Sequence, residues 1–172
     1  MNSIQQLFED RIRDLYNAEQ QLVKALPKMA KASSSPDLRR AFEAHLEETK
    51  QHVERLSQIA EASGFRPAGK RCKAMEGLIE EGGEAIEAKG DEAVHDMNLV
   101  AAAQRVEHYE IAGYGNARHY AEVLGDTSAA RMLQQTLDEE AKADRTLTKI
   151  CEDTLVPAAP KRAEMARSAS QR

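Results

Sequence analysis

The chain has 172 residues, 41% of them hydrophobic and 31% charged, and carries a net charge of −5. That length suits one domain with a real core, and no run of about 18 apolar residues offers a membrane span. Acids spread through the sequence make its body a poor nucleic-acid binder, because non-specific binding needs clustered Lys and Arg. Aromatics are only 4%, and Trp is absent; Ala, Glu, Leu, Lys and Arg dominate, which favours helix over strand. Cys72 and Cys151 are too few for a thiolate zinc site or a disulfide framework and read as reduced thiols. The acidic, helix-periodic start MNSIQQLFEDRIRD is unlike a cleaved leader and predicts a cytoplasmic protein.

The first helix starts at Ser3, a good N-cap, and carries apolar residues at Phe8, Ile12, Leu15, Leu22 and Leu26 in 3-4 spacing. Pro27 falls inside this run and is expected to kink the helix or end it early. Ser35-Pro36-Asp37 opens the second helix with a cap, a Pro at the first position and an acid in the first turn; Gly64 stops it. A short helix over Ala74–Lys89, interrupted at Gly82-Gly83, is expected next. Gly90-Asp91 opens the third long helix, which runs to Gly125. Asp126 or Thr127 caps the fourth, which runs to about Asp153. The tail PKRAEMARSASQR is mildly basic and reads as disordered, which divides the chain into a bundle over 1–155 and a tail over 156–172.

The first two long helices are joined by about four residues and the last two by about three, so both pairs are antiparallel hairpins. Between the hairpins lie roughly 26 residues, Phe65–Gly90, enough to return along a helix of about 42 Å. Two tight hairpins and one long crossover predict an all-α, ferritin-like four-helix bundle with a short extra helix in the crossover.

Most acids lie on outward faces, but a few interrupt the apolar stripes. Glu19 stands between Leu15 and Leu22, and Glu107, with Glu110 beside it, stands among Met97, Val100, Ile111 and Tyr114. Glu140 and Asp144 fill the stripe of Leu133, Leu137 and Leu147, while the second helix carries His45, Glu48 and His52. Residues equidistant from a hairpin turn lie side by side. Glu19 and Glu48 share a midpoint in the first turn, and Glu110 and Glu140 share one in the second, each about 22 Å from its turn. The crossover puts the turns at opposite ends, so both pairs are expected at mid-height. Glu107 with Asp144 forms a further rung, and His52 is similarly placed in the first hairpin.

Buried unpaired carboxylates cost several kcal/mol each. They must share protons, pair with bases or bind cations. Oxygen-rich ligands with one or two imidazoles suit iron or manganese better than zinc. The bundle-core recipe for a dinuclear site takes one Glu from each of two helices and a Glu-plus-His pair from each of the others. Here Glu19 and Glu107 or Glu110 are the single carboxylates, and Glu48/His52 and Glu140/Asp144 the pairs. The partner comes four residues on instead of three, and in the last helix it is Asp instead of His. Tyr16 is a candidate for a supporting hydrogen bond.

The segments DLYNAEQQL, AFEAHLEET, CKAMEGLIEE, VEHYEIAGYG and LDEEAKAD resemble the YciF-like branch of the ferritin-like superfamily, bacterial stress-associated proteins without an established activity. The resemblance implies a rubrerythrin-related bundle, a homodimer and a metal site. It also implies that the histidine of the HLxET segment, His45, is the more regular one, so His45 and His52 both stand as ligand candidates. His108 and His119 read as surface or packing residues. Three functions fit: a dinuclear iron or manganese protein consuming oxygen or peroxide, a metal-poor interaction bundle of the stress response, or an iron-storing cage that coats DNA.

Overall fold

The computed structural model describes residues 1–160; of the tail predicted over 156–172, residues 161–172 lie outside the described residues. The chain forms α1 (Ile4–Ala32), α2 (Pro36–Ala62), α3 (Lys73–Glu87), α4 (Glu92–Val123) and α5 (Thr127–Ile150). The four long helices make the bundle, and α3 lies in the crossover against α1 and α4. The last helix does not stop at Asp153. It widens into a π-helical turn over Cys151–Leu155 and ends in a short helical turn at Val156–Ala158, anchored by the buried Leu155.

Local signals set most of the boundaries. Ser3 Oγ accepts from the Gln6 N–H, Ser35 from Leu38, Asp91 from Ala93 and Val94, and Asp126 from Ala129, so each long helix has at least one of its orphan donors satisfied. Gly64 and Gly125 follow α2 and α4 at φ 77°, the left-handed conformation that ends a helix without a Cβ clash. The early end allowed for at Pro27 does not occur: α1 runs through it, and Pro27 itself is exposed. Nor is α3 interrupted at Gly82-Gly83. Each Gly costs about 0.5–1 kcal/mol in a helix, less than the roughly 1.5–3 kcal/mol gained on burying a side chain such as Met75.

The two turns lie at opposite ends of the bundle. The Ser34 and Ser35 backbone N–H groups donate to the carboxylate of Asp96, at 3.0 and 2.6 Å. Asp96, in the first turns of α4, is 1% exposed. The first turn is therefore clamped to the start of α4, and the second turn, after α4, is a helix length away. Two apolar clusters fill the bundle. One, with Leu26, Phe42, Met75, Leu99 and Leu147, lies toward the first turn; the other, with Phe8, Ile12, Leu56, Ala121 and Leu133, toward the second. Between them α4 comes close to α1 at Gly113, where a Cβ would stand 2.8 Å from the Leu15 side chain.

Removing the Asp96 clamp leaves two backbone donors without their partner. Asp96→Ala is expected to lower the unfolding free energy by about 1–3 kcal/mol, read from urea denaturation with circular dichroism.

Candidate metal centre

A polar layer separates the two apolar clusters. It consists of Glu19 from α1, His45 and His52 from α2, Glu107 and Glu110 from α4 and Glu140 from α5, all buried, with Glu19, His52, Glu110 and Glu140 at 0% exposure. Helix periodicity brings them inward. His45 and His52 are two turns apart on one line with Phe42, Thr49 and Leu56, and Glu107 and Glu110 are one turn apart on α4. Ligand atoms of His45, Glu107, Glu110 and Glu140 all lie within 4.8 Å of one another, as do those of Glu19, His52 and Glu140. Glu140 belongs to both groups.

The contacts are close. His45 Nε2 is 3.3 Å from Glu107 Oε1 and 3.7 Å from Glu140 Oε2. His52 Nδ1 is 2.9 Å from Glu140 Oε1 and 3.3 Å from Glu19 Oε1. These approaches suffice for ion pairing, yet distance or angle leaves the donors and acceptors short of hydrogen bonds. Both oxygens of Glu110 and of Glu140, one each of Glu19 and Glu107, both nitrogens of His45 and His52 Nδ1 are buried without a hydrogen-bond partner. Buried polar atoms are nearly always paired, so this concentration of free lone pairs on one interior volume fits a cation. Two groups rich in carboxylate, each with one imidazole, fit iron or manganese.

A surrounding shell holds the layer in place. Glu139 Oε2 lies 3.0 Å from His52 Nε2. Arg55 grips Glu139 with both terminal nitrogens and donates to Thr136 Oγ1 at 2.9 Å. A His52 whose Nε2–H donates to Glu139 presents the Nδ1 lone pair to Glu19 and Glu140, the tautomer a ligand needs. On the other side the Tyr114 hydroxyl donates to Glu19, and Tyr114 is fully buried.

Charge and burial oppose each other across the layer. Burial alone would depress both histidines. Around His45, Glu107 and Glu48, with Glu140 and Glu19, outweigh it and raise the imidazole to about 9. Around His52, Glu140 and Glu19 raise it to about 11. Glu107 and Glu110 are pushed well above the carboxylate range, first by burial and then by neighbouring carboxylates. Burial also raises Glu19, whereas the two histidines hold Glu140 below its ordinary value despite its burial.

The structure thus brings Glu19, His45, His52, Glu107, Glu110 and Glu140 together and leaves three candidates outside. Glu48 sits beside the inward line of α2, half-buried, with its carboxylate 3.7 Å from His45 Nδ1 and 3.1 Å from Lys142 Nζ. His45 holds it at about 2 against the effect of burial, with help from Lys142. Asp144 turns to the α4–α5 flank, where Gln104 Nε2 donates to it at 2.9 Å and the exposed His108 lies 3.5 Å away. Tyr16 packs half-buried against the cluster toward the second turn; the tyrosine bonded to the layer is Tyr114. Sequence reading missed Tyr114 and Glu139. Tyr114 was findable, one turn beyond Glu110 on the same face; Glu139 was not, because its role comes from a contact with His52 and Arg55 across helices.

The linkage has a definite sign. His45 and His52 are raised above the ordinary 6.5, so their contribution to stability is complete below 6.5 and is lost as pH rises through the folded values. Glu107 and Glu110, raised above 4.5, act in the same direction. Protein stripped of metal is therefore expected to melt at progressively lower temperature from pH 6.5 to 9, followed by circular dichroism at constant ionic strength.

Comparison with known proteins agrees with the fold. Protein YciF of Escherichia coli K12 is 48% identical over 149 residues, covering 86% of this chain and 90% of that protein. The crystal structure of the E. coli stress protein YciF superposes with a TM-score of 0.89 at 45% identity, over 92% of this chain and 100% of that one. A ferritin-like, diiron-carboxylate protein from Bacillus anthracis shares the fold at a TM-score of 0.68 and 14% identity, over 88% of this chain and 99% of that one. A family described as a domain of unknown function, DUF892, matches residues 3–159. With its ferritin-like helical bundle and its similarity to YciF over most of its length, this chain belongs to the DUF892 family.

Proposed function

We propose that this chain is a stress-associated ferritin-like protein whose polar layer holds two iron or manganese ions and consumes a small oxidant, dioxygen or peroxide. The observation that carries the reading is Glu140: it belongs to both ligand groups, and neither of its buried oxygens has a hydrogen-bond partner. A carboxylate in that position suits a bridge. His45, Glu107 and Glu110 complete one set and Glu19 and His52 the other. Such a centre supplies redox chemistry and Lewis acidity when loaded. The protein's own part is to bind and orient. Glu139 and Arg55 fix His52, Tyr114 fixes Glu19, and the apolar clusters shield the layer along the bundle axis. Loading requires His45, His52, Glu107 and Glu110 to give up protons, so uptake releases protons and tightens as pH rises. The reading extends to a homodimer in the cytoplasm, with nucleic acid playing no part.

A second reading has its own support. Two imidazolium ions among the carboxylates partly neutralise the layer without metal, which suits a metal-poor interaction bundle of the stress response. Metal content decides between them. Native protein is expected to hold two ions per chain by elemental analysis, with a light-scattering mass near that of a dimer instead of a cage. Fewer than one ion per chain, with peroxide and oxygen left untouched, favours the second reading.

Substitutions sharpen the test. Glu140→Ala is expected to lower metal affinity at both positions by about 100-fold or more, the scale on which even outer partners act. Glu48→Ala and Asp144→Ala are expected to leave the metal stoichiometry unchanged. Glu110→Gln is expected to abolish one ion while raising the stability of the metal-stripped protein at neutral pH by about 1–3 kcal/mol, because Gln does not carry the cost of holding a buried carboxyl protonated above its ordinary range. Isothermal titration in buffers of different ionisation enthalpy reads the affinity and the proton release together.

A further inference from the structure

A cavity of about 100 Å³ is walled by α1, α3 and α4, with Phe42 and His45 of α2 at its inner end. Its walls include Leu26, Ile79, Gly82, Ala102 and Val106, and apart from the exposed Lys28 its polar lining is His45 and Glu107. Those two residues belong to the buried polar layer, so the apolar space ends on the ligand set itself. Gly82 is buried, and a Cβ added there, or at Gly83, meets nothing within 4 Å. The helix therefore has room for larger side chains at two positions and leaves that room open.

A second cleft, about 120 Å³, reaches His45 and Glu107 from the α2–α5 side, past Glu48, Lys142 and Thr146. The two approaches differ in chemistry. The α2–α5 cleft has an ion pair at its edge and suits water, ions and polar molecules. In the cavity under α3, water finds few of the two to four polar partners it needs, whereas apolar cavities of about 150 Å³ take up xenon or benzene.

We propose that the cavity under α3 is a binding site for a small uncharged apolar molecule, held against the His45–Glu107 edge of the polar layer. As a substrate site it rests on the metal reading above, and within that reading it selects dioxygen over peroxide. The binding itself needs no metal.

The test uses xenon as the probe on the full chain with paramagnetic metal removed, followed by amide shifts in two-dimensional NMR. Saturable shifts at Gly82, Gly83, Ala102 and Ala103 are expected. Gly82→Leu and Ala103→Leu fill the space from opposite walls and should each weaken xenon binding at least about tenfold, with helical content and metal per chain unchanged. Absence of saturable shifts in the unsubstituted protein, or binding in both filled variants as tight as in the unsubstituted protein, overturns the proposal. Metal content is measured separately: xenon binding in a chain that takes no metal leaves this site standing and removes the metal reading, and metal uptake without xenon binding does the reverse.

Discussion

The structure depends on the compensation of four carboxylates inside an apolar bundle. Glu19, Glu107, Glu110 and Glu140 lie between two apolar clusters, where each uncompensated charge costs several kcal/mol. Two imidazoles supply part of the opposing charge. Shared protons or cations must supply the rest, and the choice between them sets protonation, stability and reactivity together. The neighbouring residues follow from this constraint. Tyr114 and the Glu139–Arg55 pair bond to the layer from outside, and Glu48 meets His45 at its edge. None of these contacts would be needed if Leu occupied the four carboxylate positions.

Much of the architecture was legible in the sequence because it is written in local signals. Serine and aspartate caps, the glycines after α2 and α4, and two short turns separated by a long crossover specify the helices and their order. Two breaker sites misled. Pro27 and the Gly82-Gly83 pair weaken a helix locally, but α1 and α3 are held by burial along their lengths, and tertiary packing outweighs propensity. The end of the last helix was also misjudged, since the helical path continues through the buried Leu155, past the expected stop at about Asp153.

The candidate site was legible in position and less so in membership. Counting residues from each turn put the carboxylates at one height, which is a property of hairpins alone. Which of several acids on adjacent positions points inward depends on helix rotation. A difference of about 100° per residue separates Glu140 from Glu139, and only the packed structure decides that one enters the layer while the other supports it. Asp144 is a similar case: Gln104 of α4 draws it to the flank. Two turns of α2 bring both His45 and His52 into the layer, a pairing that the HLxET segment alone did not indicate.

The first hairpin contributes Glu19, His45 and His52 to the layer, and the second contributes Glu107, Glu110 and Glu140. Each ligand group draws from both hairpins, and the Arg55–Glu139 pair crosses the same seam. A cation bound there acts as a cross-link between two halves that each have short, local contacts of their own. Its binding free energy then belongs to the docking of the hairpins and not only to a pocket. Slow hydrogen exchange in α2 and α5 would follow metal supply, making the rigidity of the whole bundle a readout of the ions available around it.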